Sequence, residues 1–316
     1  MARVLLASDS GVVAVDGSGA SREAGSPESV AFMAGDGDAA FAVTRQGALW
    51  ARDSRGRWSL RNEKTVDDEI WSFGVDTRVA GRMYLGVSPA LVYRSDDDGL
   101  SWTACDSLTR VPGYETWTFP PPPHIPHVRS IIADPGQAGA IYIGVEEGGV
   151  FRSPDGGETW QSLNEGLYWD VHTVAAAAGG RDLFATTGAG FHKSADGGGH
   201  WEHVSAGIDR RYTVPLLASR AHPGVLYTAA AGGPPPTWAQ GVNAALYRSE
   251  DGGERWQRQA AGLPERFDVM VGSLLEDGEG NVYAAAGGQV FRCEAGRDRW
   301  KLLAEGLDSV RSAVLV

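Results

Sequence analysis

Seven side chains stand out for the chemistry they could do together if the fold gathers them: Glu69, His127, Arg129, Glu146, Asp170, His172 and Tyr212. Imidazole and carboxylate suit zinc, iron or manganese, so His127, His172 and Glu146 form a candidate set for one divalent metal ion. The same residues support a second chemistry. An imidazole beside Asp170 can act as acid or base, and Arg129 can hold a carboxylate or a developing oxyanion. Tyr212 and Glu69 are candidate catalytic groups at the edge of such a site. No HxH or HExxH spacing unites these residues in the chain. Their convergence depends wholly on the elements that carry them.

Those elements repeat. The stretch FRSPDGGETW contains Ser153-x-Asp155-x-Gly157-x-x-Trp160. The pattern recurs as Ser95-x-Asp97-x-Gly99-x-x-Trp102, Ser194-x-Asp196-x-Gly198-x-x-Trp201 and Ser249-x-Asp251-x-Gly253-x-x-Trp256. Two decayed copies follow the same frame, one from Ala51 through Asp53 to Trp58 and one from Cys293 to Trp300. A fixed internal period is the mark of a repeat architecture. Each copy reads as a strand end, a tight turn and a second strand. The carboxylate accepts turn N–H groups, the glycine takes positive φ, and the Trp ring packs against the hairpin. That makes the motif a scaffold element, and the chemistry has to lie elsewhere.

The motif resembles the Asp-box, or BNR, repeat of sialidase-type β-propellers. WTFPPPPHIPHVRSI also resembles a segment of bacterial glycosyl-hydrolase-like or sialidase-like BNR-repeat proteins, in which an adjacent His pair stands where this chain has His124 and His127. The resemblance implies a propeller and leaves activity open, because such propellers include glycosidases, sorting-receptor domains and assembly factors. True sialidases carry Arg-Ile-Pro, an arginine triad and a Tyr/Glu nucleophile pair. This chain has no Arg-Ile-Pro, and only Arg129 and Arg311 fall on its strand starts. Tyr212 and Glu69 belong to repeats that are not adjacent. Sialidase activity is therefore not expected.

The repeats predict an all-β fold, a seven-bladed β-propeller of four-stranded antiparallel blades forming one domain over residues 1–316. Strands a to d run from HVRSIIADP through AIYIGVEE and VFRS to TWQSL, with a-strands beginning near Ser29, Glu69, His127, Asp170, Tyr212, Asp268 and Ser309. The last a-strand has no b, c or d strand after it. RVLLAS and GVVAVD at the N-terminus supply them, so the final blade is expected to combine both ends and leave no open sheet edge.

Aligned strand starts give two rings that should line one mouth of the channel. The first is Ser29, Glu69, His127, Asp170, Tyr212, Asp268 and Ser309; the second, two residues on, is Ala31, Trp71, Arg129, His172, Val214, Met270 and Arg311. A two-residue offset keeps each pair on one strand face. Proline-rich insertions at residues 105–126 and 229–245 are expected over the same mouth, and Glu146 and Glu147 should reach it too. Trp71, Trp117, Trp238 and Arg311 are the substrate-binding candidates. His192, His200, His203 and His222 belong to other corners.

A net charge of -12 argues against nucleic acid or an anionic membrane as partner, and no apolar run is long enough to span a bilayer. Cys105 and Cys293 lie in distant repeats, which predicts no disulfide and fits a cytoplasmic protein. The sequence thus points to an enzyme of hydrolase, lyase or cyclase type acting on a small polar molecule. A non-catalytic propeller binding a protein partner is the alternative.

Overall fold

A computed structural model describes residues 3–316. The chain is all-β, a seven-bladed propeller of four-stranded antiparallel sheets. In six sheets the strands follow chain order, from a to d. The a-strands are Val30–Asp36, Glu69–Val75, Val128–Ala133, Val171–Ala176, Tyr212–Ala218 and Val271–Glu276. In the seventh sheet Ser312–Leu315 pairs with Val4–Ser8, which pairs with Gly11–Asp16 and then Gly19–Arg22. The expected joining of the two ends is therefore present. Contacts divide the chain into two compact units. One comprises the N-terminal stretch to Gln46, Trp50–Ser59 and Val204–Val316; the other comprises Gly47–Leu49 and Leu60–His203. Among the described residues no helix is long and apolar enough to cross a membrane.

The c–d corners owe their shape to one serine and one aspartate. Ser153 Oγ donates to Asp155 Oδ1 at 2.9 Å and accepts from the Gly157 N–H at 2.7 Å. Asp155 also accepts from the Thr159 N–H at 2.8 Å and the Thr159 hydroxyl at 2.6 Å. The Ser–Asp bond and the bond from the glycine N–H recur at Ser95, Ser194 and Ser249. At Asp97 the hydroxyl and N–H of Ser101, with the Ser95 hydroxyl, hold the carboxyl down at about 2. Gly157 has φ 100°, and a Cβ there would meet Cys105 Sγ at 2.4 Å. Conformation and space both demand glycine.

Two of the tryptophans that close these corners reach further than a single hairpin. The Trp160 indole N–H donates to Ser107 Oγ at 3.1 Å, and the Trp201 indole donates to the Leu163 carbonyl at 2.7 Å. These two indoles therefore reach the preceding repeat, whereas the Trp102 indole donates to the Gly99 carbonyl of its own corner at 3.1 Å.

Five of the a-strands carry a one-residue bulge near the start, whereas Tyr212–Ala218 shifts register between Thr213 and Leu216 and Ser312–Leu315 pairs regularly with Val4–Ser8. Val128 faces Val145 and Ser130 faces Gly144, which leaves Arg129 as the extra residue. In the same way Trp71, His172, Ala31 and Gly272 are extra in their strands. This corrects two expectations. The two-residue offset does not place these pairs on a simple alternating face, because the second member, Ala31, Trp71, Arg129 or His172, is itself the bulged residue. In the sixth sheet the bulge is at Gly272, so Asp268 precedes the strand and Met270 takes the position first given to Asp268. The b-strand glycines opposite the bulges let neighbouring blades approach closely. A Cβ on Gly144 would lie 2.8 Å from Val171 Cγ1.

Two outcomes follow. Deleting residues 309–316 removes the strand that pairs with Val4–Ser8 and should cause unfolding or aggregation, read as loss of a cooperative melt; an unchanged melt would contradict this closure. Asp155→Ala should lower stability in urea titration by about 1–3 kcal/mol through lost turn hydrogen bonds, and the same loss at a surface Asp outside a corner would show that the motif has no special role.

Candidate functional site

Within the unit that contains residues 60–203, three strand ends bring their polar groups together. His127 directly precedes the a-strand Val128–Ala133, and Glu146 directly follows the b-strand Ile141–Val145 of the same sheet. The Glu146 N–H donates to the His127 carbonyl at 3.2 Å, which ties the two ends together. Asp170 and His172 open the next a-strand.

Glu146 is the centre of the cluster. His127 Nε2 lies 2.9 Å from Glu146 Oε2, and Arg129 Nη1 donates to the same oxygen. Burial opposes ionisation of this carboxyl, but the His127 hydrogen bond and the Arg129 charge overcome it and hold it at about 2. Burial also pushes the His127 imidazole below its ordinary value, against the pull of Glu146. A neutral imidazole facing a carboxylate must donate through Nε2, so Nδ1 keeps its lone pair. His127 is fully buried, and Nδ1 has no hydrogen-bond partner among the described residues.

Aromatic rings fix that imidazole. Trp71 stacks on it with centroids 3.5 Å apart and planes 19° from parallel. Phe119 meets it edge-on at 4.7 Å. The Trp71 indole N–H is likewise buried without a partner. Buried polar groups are almost always hydrogen-bonded, so an unpaired acceptor and an unpaired donor on stacked rings are exceptions that call for an explanation.

Both recorded bonds to Glu146 fall on Oε2, and Oε1 takes part in neither. Ligand atoms of Glu146, Asp170 and His172 all lie within 4.8 Å of one another. His172 is buried, with Nε2 3.3 Å from Asp170 Oδ1. This trio could chelate a cation, with His127 and Arg129 orienting Glu146 from behind. Glu147 stands beside it in a left-handed conformation, φ 54°. Burial and the charges of Asp170 and Glu146 raise its pKa.

The sequence candidates are thus distributed unevenly. Glu146, Asp170 and His172 come together, and Arg129, His127 and Trp71 support them. His127, expected as a metal ligand, has its Nε2 engaged by Glu146, while Asp170, expected as catalytic, joins the ligand trio. Glu69 is exposed at its strand start. Trp117, expected as a cover, packs instead on Tyr114 and Phe151 in the core. Tyr212, Trp238 and Arg311 belong to the other unit: Tyr212 is buried edge-on to Trp238 at 6.1 Å, and Arg311 pairs with Asp9 at 3.0 Å. The Phe119 contact was missed, since nothing in a proline-rich run says which ring turns inward. Tyr168 and Trp169 also escaped notice; both are exposed immediately before Asp170.

No family model and no curated protein matches the chain. Solved structures do. The GH74 xyloglucanase from Xanthomonas campestris is 17% identical with a TM-score of 0.69, over 96% of this chain and 52% of that one. The GH74 enzyme of Niastella koreensis is 14% identical, with the same score and coverage. YCF48 bound to D1 peptide is 17% identical with a TM-score of 0.59, over 95% of this chain and 83% of that one. The chain spans about half the length of the GH74 structures. At such identities the likeness establishes a shared propeller fold and leaves the chemistry to the site.

Glu146→Ala should cost about 2–4 kcal/mol in denaturant unfolding, because it strands His127 and Arg129. The carboxyl's folded pKa lies below its unfolded value, so its contribution is present above about 4.5 and is lost as pH falls toward 2. The stability gap between the wild type and Glu146→Gln should therefore shrink over that window. A gap independent of pH would contradict the assignment.

Proposed function

We propose that this propeller, with repeats of the Asp-box type, is an enzyme of hydrolase, lyase or cyclase type acting on a small polar molecule at the Glu146–Asp170–His172 cluster. The observation that carries this reading is the convergence of ligand atoms from those three residues within 4.8 Å of one another, with Glu146 buried and ionised. Two carboxylates and one imidazole fit a zinc, iron or manganese ion. When bound, such an ion supplies Lewis-acid polarisation of a substrate oxygen or an activated water. Arg129 and His127 keep Glu146 charged and oriented. The lone pair of His127 Nδ1 and the indole N–H of Trp71 offer an acceptor and a donor to the substrate. Two buried free cysteines, Cys105 and Cys293, are consistent with work in the cytoplasm.

A second reading, a non-catalytic scaffold for a protein partner, draws on the exposed Tyr168 and Trp169 beside the cluster and on the fold shared with YCF48 bound to D1 peptide.

Calorimetric titration of chelator-treated protein with zinc, manganese and ferrous iron tests the proposal. One equivalent should bind, and His172→Ala and Asp170→Asn should each weaken binding at least tenfold, with melting preserved. Absence of saturable binding by all three ions, with hydrolase and lyase panels also silent, would sink the enzymatic reading and favour the scaffold.

A further inference from the structure

The unit containing residues 204–316 holds a separate feature, a cavity of about 520 Å³. Its walls come from the proline-rich insertion after the b-strand Leu226–Ala231 and from the approach to the a-strand Val271–Glu276, with Arg211 added from just before the a-strand Tyr212–Ala218. Arg211, Arg266, Asp268, Thr237, Gln240 and Asn243 supply its polar side chains.

The cavity is built by specific bonds. Ala244 and Phe267 exchange backbone hydrogen bonds of 3.0 and 2.9 Å, which join its two walls. Phe267 is buried, edge-on to Phe291 at 5.8 Å. Arg210 donates to the Asn243 carbonyl at 2.5 Å and to its side-chain oxygen at 3.0 Å. These bonds hold Asn243 in a left-handed conformation, φ 49°. The Trp238 indole N–H donates to the Gly233 carbonyl at 2.8 Å, which folds the insertion back on itself. A site tied down in this way binds without first having to order its loop.

Charge identifies the occupant. Acidic residues outnumber basic ones by 40 to 28, so carboxylate partners for arginine are plentiful. Yet Arg211 has no hydrogen bond or ion pair among the described residues. Arg266 faces only Asp268, at 3.6 Å, beyond hydrogen-bonding distance. The walls therefore carry two guanidinium groups against one carboxylate, an excess of positive charge on a chain whose net charge is -12. Guanidinium groups pair with phosphate and carboxylate through two parallel N–H bonds. Neutral amide and hydroxyl groups from Gln240, Asn243 and Thr237 complete the lining. The volume lies in the range of small-molecule sites, roughly 300–1,000 Å³, and far exceeds what an inorganic anion fills.

We propose that this cavity is a binding site for a small hydroxylated oxyanion, a phosphate ester or a carboxylate. Its charged end pairs with Arg211 and Arg266, and its hydroxyls meet Gln240, Thr237 and Asn243. The site is independent of the Glu146 cluster.

Isothermal titration at low salt with glucose 6-phosphate, glucuronate, glucose and inorganic phosphate tests it. At least one charged sugar should bind saturably while glucose does not, and the stronger of the two identifies phosphate or carboxylate as the preferred group. Arg211→Gln should weaken that binding at least tenfold at unchanged melting temperature. Arg266→Gln provides the same reading if the first variant fails to fold. Asp170→Asn should leave it unaltered, which separates this site from the other. The proposal is overturned if neither charged sugar binds, if both arginine variants bind normally, or if inorganic phosphate binds as tightly as the sugar phosphate.

Discussion

Every complete corner of this propeller hangs on a serine hydroxyl that serves two partners. It donates to an aspartate two residues on and accepts the N–H of a glycine four residues on, as at Ser153, Asp155 and Gly157. The bond fixes where the c-strand ends and how tightly the chain reverses. At two corners the tryptophan that follows is then delivered onto the preceding repeat, where Trp160 reaches Ser107 and Trp201 reaches Leu163. A polar turn thus sets the position of a large apolar ring, and the ring packs against the repeat before it. Local geometry and core packing are coupled by the same residues.

The functional cluster depends on a different irregularity. A bulge near the start of five a-strands lifts one residue out of the ladder, and in three neighbouring sheets that residue is Trp71, Arg129 or His172. An unbulged strand would distribute these side chains by strict alternation. The bulge frees them to turn toward the strand end, where Glu146 arrives from the adjacent b-strand. Glycines in the b-strands, such as Gly144, leave the space that the neighbouring blade requires.

Burying Glu146 as a carboxylate is costly unless donors surround it. His127 and Arg129 provide them on one oxygen, and the stacked Trp71 keeps the imidazole from rotating away. The cost of this arrangement is offset locally, while the orphan Nδ1 and indole N–H remain. A purely structural network would close on itself. This one leaves His127 Nδ1 and the Trp71 indole N–H without a partner among the described residues.

The sequence by itself determined the repeat, the number of blades and the joining of the two ends, because Ser, Asp, Gly and Trp each have a steric or hydrogen-bonding role that distance along the chain preserves. It also brought forward the polar strand starts, since Glu, His, Arg and Asp at matching positions have no reason to serve an apolar core. The assignment of roles was a tertiary matter. Whether His127 ligates or supports turns on a 2.9 Å contact with Glu146, which no spacing encodes. The bulges displaced the expected faces and moved Asp268 out of the sixth strand start, because bulges change register without changing composition. Trp117 went into the core and Phe119 onto the imidazole, a choice made by loop geometry between two aromatic rings that the sequence presents as equivalents.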